Sequence, residues 1–120
     1  IVAYELCSSI RNNRELVDEN NPDVYDALAK KYLNIGCACM TNNDKRIQLI
    51  DELIEEFKID GVIDIALQSC HPFNVESNRI KEFVVNDKKI HYMAIETDYS
   101  QSDTEQLRTR FEAFIEMIES

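Results

Sequence analysis

Four cysteines, Cys7, Cys37, Cys39 and Cys70, are the residues of this chain best suited to redox or metal chemistry. In a small secreted protein an even cysteine count would suggest a disulfide framework. Here hydrophobic residues make up 44% of the chain, enough for an ordinary core, and no charged-then-apolar leader is visible. Reduced thiols are therefore expected, and the chemistry open to them is metal ligation or redox exchange. The spacing alone names no compact motif. Gaps of 30 and 33 residues separate Cys7, Cys37 and Cys70, and Cys37-x-Cys39 is not a CxxC pair. A free cysteine commonly packs as a small hydrophobe. Cys70 fits that description worst, because it lies in the polar exit Gln68-Ser69-Cys70-His71-Pro72 that follows an apolar run.

Beside Cys70, His71 has an imidazole able to ligate metal, carry a proton or orient a carbonyl. Glu76 and Glu96 are carboxylates that can serve as general acid or base when desolvated. Taken singly, such carboxylates are commonly caps or surface groups, and His91 reads as a solvated histidine. Two glycines in all exclude a dinucleotide-binding fingerprint and a phosphate-cradling P-loop.

The elements that must position these residues follow from periodicity. Ile1-Val2-Ala3-Tyr4 is apolar and β-prone and opens abruptly, which suggests a chain cut from a longer polypeptide. A polar stretch from Ser8 to Asn21 follows Cys7. Pro22 suits the first turn of a helix running to Lys31 or Tyr32, with Val24, Leu28 and Leu33 inward. Ile35 to Met40 is a short apolar connector, and Thr41-Asn42-Asn43 offers caps for the next helix. That helix carries an apolar stripe at Ile47, Ile50, Leu53, Ile54 and Phe57. Val62 to Leu67 is a nearly continuous apolar run, the signature of a strand buried on both faces of a parallel sheet. A helix with Val75, Ile80, Phe83 and Val84 leads to a second such strand, Tyr92 to Ile95. Ser102-Asp103-Thr104-Glu105 matches a capping box for a last helix with Leu107, Phe111, Phe114, Ile115 and Ile118 inward. The order strand, helix, helix, strand, helix, strand, helix predicts one α/β domain over residues 1–120. Its parallel sheet would be flanked by helices in a Rossmann or flavodoxin-like arrangement. Ligands of such sheets bind outside the carboxyl ends of the strands, where Cys7, Cys70 and the loop from Glu96 to Ser100 would lie.

The net charge is −10, with 23 acidic against 13 basic residues. Such a surface repels phosphate backbones and argues against nucleic acid as a partner. No apolar run approaches the roughly 20 residues that span a bilayer, so a cytoplasmic protein without membrane association is expected.

Three segments carry a resemblance. Lys58-Ile59-Asp60-Gly61-Val62-Ile63 leads into Gln68-Ser69-Cys70-His71-Pro72-Phe73-Asn74-Val75-Glu76. After the next helix comes Glu96-Thr97-Asp98-Tyr99-Ser100, followed by Gln106-Leu107-Arg108-Thr109-Arg110. The chain resembles the C-terminal domain of the 2-hydroxyacyl-CoA dehydratase D-component family, which includes benzoyl-CoA reductase subunits and double-cubane-cluster proteins. The likeness covers nearly the whole chain and is densest from Lys58 to Ile118.

That resemblance implies a subunit of two Rossmann-like domains with a low-potential iron–sulfur cluster between them. It implies a [4Fe–4S] cluster held by three cysteines, with Cys70 matching the ligand from the C-terminal domain and Cys37 and Cys7 as further candidates. It implies an ATP-dependent activator that delivers one electron, so that water leaves a 2-hydroxyacyl-CoA through a ketyl radical. A homo- or heterodimer is expected, and the isolated domain would be inactive and metal-free. His71 and Glu76 are the catalytic candidates. The patterns Tyr4-Glu5-x-Cys7 and Cys70-His71-x-x-Asn74-Val75-Glu76 look closer to the double-cubane branch, whose members carry a larger cluster and would reduce small molecules. A third reading is an interaction domain that kept the fold without the chemistry. Two residues depart from the pattern: Pro72 replaces a polar residue and Gly36 replaces a commoner proline. Cys39 has no counterpart and is expected to serve packing.

Overall fold

In a computed structural model that describes residues 1–40 and 42–120, the chain forms two compact units, Ile1–Lys58 and Ile59–Ser120. Thr41 of the expected capping triplet lies outside the described residues.

The first unit is helical: α1 (Ile10–Asn13), α2 (Val24–Leu33) and α3 (Asp44–Phe57). Asp23 caps α2, its carboxylate accepting from the N–H groups of Tyr25 and Asp26 at 2.9 and 3.2 Å. Pro22 thus stands one residue outside the helix, before the cap. Lys30 and Lys31 in the last turn complement the helix dipole. Of α2, Ala27 is buried, whereas Val24, Leu28 and Leu33, expected inward, are exposed. In α3 the expected stripe is buried at Ile50, Leu53 and Ile54, whereas Phe57, also expected inward, is exposed. The helix stops where Lys58 takes the left-handed conformation, φ 50°, with its N–H returned to the Ile54 carbonyl.

The expected N-terminal strand is not formed. Ile1 is 94% exposed, and Val2 and Tyr4 are also open to solvent. The polar groups of this stretch are met locally instead. The Ser9 hydroxyl donates to the Tyr4 carbonyl at 2.6 Å and accepts from the Leu6 N–H at 2.8 Å, which closes a turn around Cys7. β-Propensity without a strand to pair with does not make a strand.

The second unit holds β1 (Gly61–Leu67), α4 (His71–Glu82), a π-helical turn (Phe83–Asp87), β2 (His91–Thr97) and α5 (Thr104–Glu119). The strands pair in parallel from Gly61↔His91 to Leu67↔Thr97, with the crossover through α4. This confirms helices flanking a parallel sheet, but the sheet has two strands among the described residues, not three. Nor is β1 covered on both faces. Asp64 and Ala66 are buried, while Ile63, Ile65 and Leu67 alternate with them and are open, Ile65 by 54%. Asp64, the polar break in the apolar run, lies 2.9 Å from the Tyr92 hydroxyl, itself 3.1 Å from the Ser77 carbonyl of α4. Ile80, Val84, Ile95 and Phe114 complete this core, while Val75 and Ile115, expected inward, are exposed.

The expected capping box is displaced by one residue. α5 starts at Thr104, and the Asp103 carboxylate accepts from the Thr97 hydroxyl at 2.8 Å, so Asp103 ties the loop to β2 and does not cap. At the other end of the strand, α5 approaches closely. A Cβ placed on Gly61 would lie 2.7 Å from Ile118 Cδ1 and 2.9 Å from the Phe114 ring. Gly61→Ala is accordingly expected to destabilise the protein by about 1–3 kcal/mol, the usual cost of overpacking, with a matching drop in the urea midpoint and no change in slope.

No helix among the described residues is long and apolar enough to cross a membrane.

Candidate functional site

The four cysteines are unbridged and stand in two settings. In the first unit Cys7 lies exposed in the Leu6–Ser9 turn, immediately before α1. Cys37 and Cys39 lie in the α2–α3 connector, which closes as a turn through the Met40 N–H and the Cys37 carbonyl at 2.8 Å. The Cys39 thiol donates to Cys37 Sγ at 3.4 Å. Cys37 is half-buried and Cys39 exposed.

Around these thiols stands a group of charges that spacing did not reveal. Arg11 of α1 and Arg46 of α3 both converge on Glu5. Arg11 Nε is 2.8 Å from Glu5 Oε1 and Arg46 Nη2 is 2.9 Å from Oε2, and the two guanidinium side chains are only 2% and 5% exposed. Arg11 reaches further, with Nη2 donating to Cys7 Sγ at 3.3 Å and Nη1 to the Gly36 carbonyl at 3.3 Å. Two buried guanidiniums thus converge on one carboxylate close to Cys7 and Cys37.

The Cys37 thiol is held below the ordinary cysteine value. The largest cause is the Cys39 backbone N–H bonded to its sulfur, then the Cys39 thiol; burial opposes these, and Arg11 and Arg46 assist. A lowered value means that Cys37 is a thiolate at a pH where an ordinary cysteine is still protonated. In the cluster-free protein the alkylation rate of Cys37 is expected to level off at lower pH than that of an ordinary thiol. Cys39→Ala should move that profile upward, though incompletely, because the backbone N–H and the two arginines remain.

Gly36 explains its own departure from the family pattern. A Cβ there would lie 2.7 Å from the backbone nitrogen of Arg46, so neither proline nor alanine fits while α3 starts so close.

In the second unit Cys70 occupies the N-cap position of α4, at the carboxyl end of β1, and is half-buried. Ser69 before it is left-handed, φ 66°, a conformation that costs a non-glycine residue roughly 1–2 kcal/mol. Pro72 lies in the first turn of α4, where no N–H is needed, so its departure leaves the loop intact. His71 is the exposed first residue of α4, and Glu76 is half-buried one turn on. His91 is exposed at the amino end of β2, far along the strand from the Cys70 edge.

At the carboxyl ends of both strands a polar recess of about 270 Å³ is lined by Gln68, Glu96, Thr97, Asp98, Ser102 and Asp103. Asp98 is held below the usual carboxylate range, chiefly by the Ser100 hydroxyl and then by the Ser100 N–H. The recess lies where open α/β sheets take ligands. Among the described residues no three His, Cys, Asp or Glu side chains are gathered into a ready metal cage.

The sequence pattern of the family described as 2-hydroxyglutaryl-CoA dehydratase, D-component, matches residues 1–118. The chain belongs to this family. It is 50% identical over 118 residues to "Putative dehydratase subunit YjiM" of Escherichia coli (strain K12), covering 98% of this chain and 30% of that protein. It is 31% identical over 119 residues to the "(R)-phenyllactyl-CoA dehydratase beta subunit" of Clostridium sporogenes, covering 98% of this chain and 31% of that one. The chain thus spans about a third of the length of these relatives, both of which are named as subunits.

Proposed function

We propose that this chain supplies cysteine ligands, Cys70 with Cys37 and Cys7, to an iron–sulfur cluster in a 2-hydroxyacyl-CoA dehydratase-type enzyme. The observation that supports this most is the placement of Cys7 and Cys37 beside two buried guanidiniums, in a chain that matches the D-component pattern through residues 1–118. Thiolate sulfur is the donor that iron–sulfur clusters require, and a cluster with its thiolates is anionic. The cationic side chains of Arg11 and Arg46 suit that partner. When bound, the cluster supplies the single electron on which dehydration depends.

The chain's own residues have separable tasks. Arg11 orients Cys7 through its 3.3 Å hydrogen bond and holds positive charge against it. The strained turn at Ser69 fixes Cys70 at the edge of the sheet. The recess offers hydroxyls and an amide to a polar group, while Glu96, Asp98 and Asp103 would repel phosphates. It is therefore suited to the acyl end of a substrate and not to the phosphates of coenzyme A. His71 and Glu76 are the candidates for moving protons.

On this reading residues 1–120 are the C-terminal α/β domain of a longer two-domain cytoplasmic subunit. Its N-terminal domain would complete the ligand set, an ATP-dependent activator would reduce it, and the subunit would act as a homo- or heterodimer. A double-cubane reductase of small molecules is the second reading. It is favoured by the Tyr4-Glu5-x-Cys7 segment, whose Glu5 anchors both arginines. Anaerobic purification of the full-length protein followed by iron and sulfide analysis separates the two. About four irons per chain fit a [4Fe–4S] dehydratase, about eight the larger cluster, and none would leave only a non-catalytic interaction domain.

A further inference from the structure

Cys39 is the thiol that the cluster reading leaves without a task. Its Sγ lies 3.4 Å from Cys37 Sγ, within a turn closed by the bond from the Met40 N–H to the Cys37 carbonyl. Residues two apart span at most about 7 Å even when extended. A turn shortens that span into the Cα separation of roughly 4.4–6.8 Å that disulfides need. Cys39 is exposed, and Cys37 is open enough to be reached from solvent. A residue present only for packing would be expected inside, turned from its neighbour. Two thiols in contact at the surface of one turn have a different use.

We propose that Cys37 and Cys39 form a reversible dithiol–disulfide pair, in which Cys39 resolves adducts made on Cys37 by low-molecular-weight disulfides such as glutathione disulfide. The chemistry closes without further reactants. Cys37 sulfur attacks one sulfur of the small disulfide, forming a mixed disulfide as the first small thiolate leaves. Cys39 sulfur then attacks Cys37 sulfur, the Cys37–Cys39 bond forms, and the second small thiolate leaves. The dithiol has lost two electrons, the small disulfide has gained them, and the two thiol protons end on the two small thiols. The pair needs neither iron nor any other residue, so this proposal stands or falls apart from the cluster reading. Should both hold, closure withdraws Cys37 from ligation, and the cluster-free chain is kept from irreversible oxidation at that sulfur.

The test uses the full-length protein freed of iron and incubated with glutathione disulfide. Unreacted thiols are then alkylated and the protein digested with trypsin. One peptide, residues 32–45, carries Cys37 and Cys39 and no other cysteine. The expected result is a peptide lighter by two hydrogens and free of alkyl groups, restored to two alkylated thiols by prior treatment with dithiothreitol. Cys39→Ser should abolish that species and leave the glutathione adduct on Cys37. Cys70→Ser should leave it unchanged. A wild-type peptide that accumulates only glutathione adducts, or that remains fully alkylated, would overturn the proposal.

Discussion

Cys70→Ser is expected to strip the full-length protein of its cluster, lowering iron from about four atoms per chain to background, while Cys39→Ser leaves the iron unchanged. The reasoning is geometric. Cys70 stands at the N-cap position of α4, at the carboxyl edge of β1, where a helix end favours negative charge. Cys70 makes no side-chain capping bond, and serine suits an N-cap, so the substitution preserves the fold while offering a hard hydroxyl oxygen in place of a soft thiolate. Loss of iron with an unaltered circular dichroism spectrum would therefore report ligation and not unfolding. Cys39 donates to Cys37 and lies outside the proposed ligand set, so its loss costs one hydrogen bond. Equal iron in the two variants would contradict the assignment.

The second large effect concerns stability. Glu5→Gln should destabilise the protein by about 3–5 kcal/mol, the usual cost of removing one partner from a buried ion group. Glu5 is the carboxylate that Arg11 and Arg46 both face, and both guanidiniums are almost wholly buried. With glutamine both guanidiniums lose the carboxylate that they share. Arg11→Met should cost less, because Arg46 and Glu5 keep one another. The order of the two variants in urea denaturation thus distinguishes a charge-balance role from simple packing. If Arg11→Met proved the more damaging, Arg11's contacts with Cys7 and Gly36 would outweigh the charge argument.

What was legible in the sequence was local. The stripe at Ile50, Leu53 and Ile54 repeats at helical spacing and is buried, and the apolar runs Val62–Leu67 and Tyr92–Ile95 are the paired strands. What failed depended on neighbours distant in sequence. Ile1–Tyr4 has strand composition but no strand beside it, and Ser9 meets its backbone instead. The run in β1 promised two covered faces, but coverage depends on what packs over Ile63, Ile65 and Leu67, and here they remain open. The charge group was missed because Glu5 and Arg46 stand 41 residues apart. One signal did exist. Arg46 falls in phase with Ile50 and Leu53 on the apolar face of α3, where a cation needs a partner.

The most direct measurement is an alkylation footprint of the full-length protein purified anaerobically with its iron in place. Native labelling followed by peptide mapping should modify Cys39 and spare Cys7, Cys37 and Cys70, with all three becoming reactive once a chelator removes the metal. Cys70 labelled equally before and after iron removal would contradict the account.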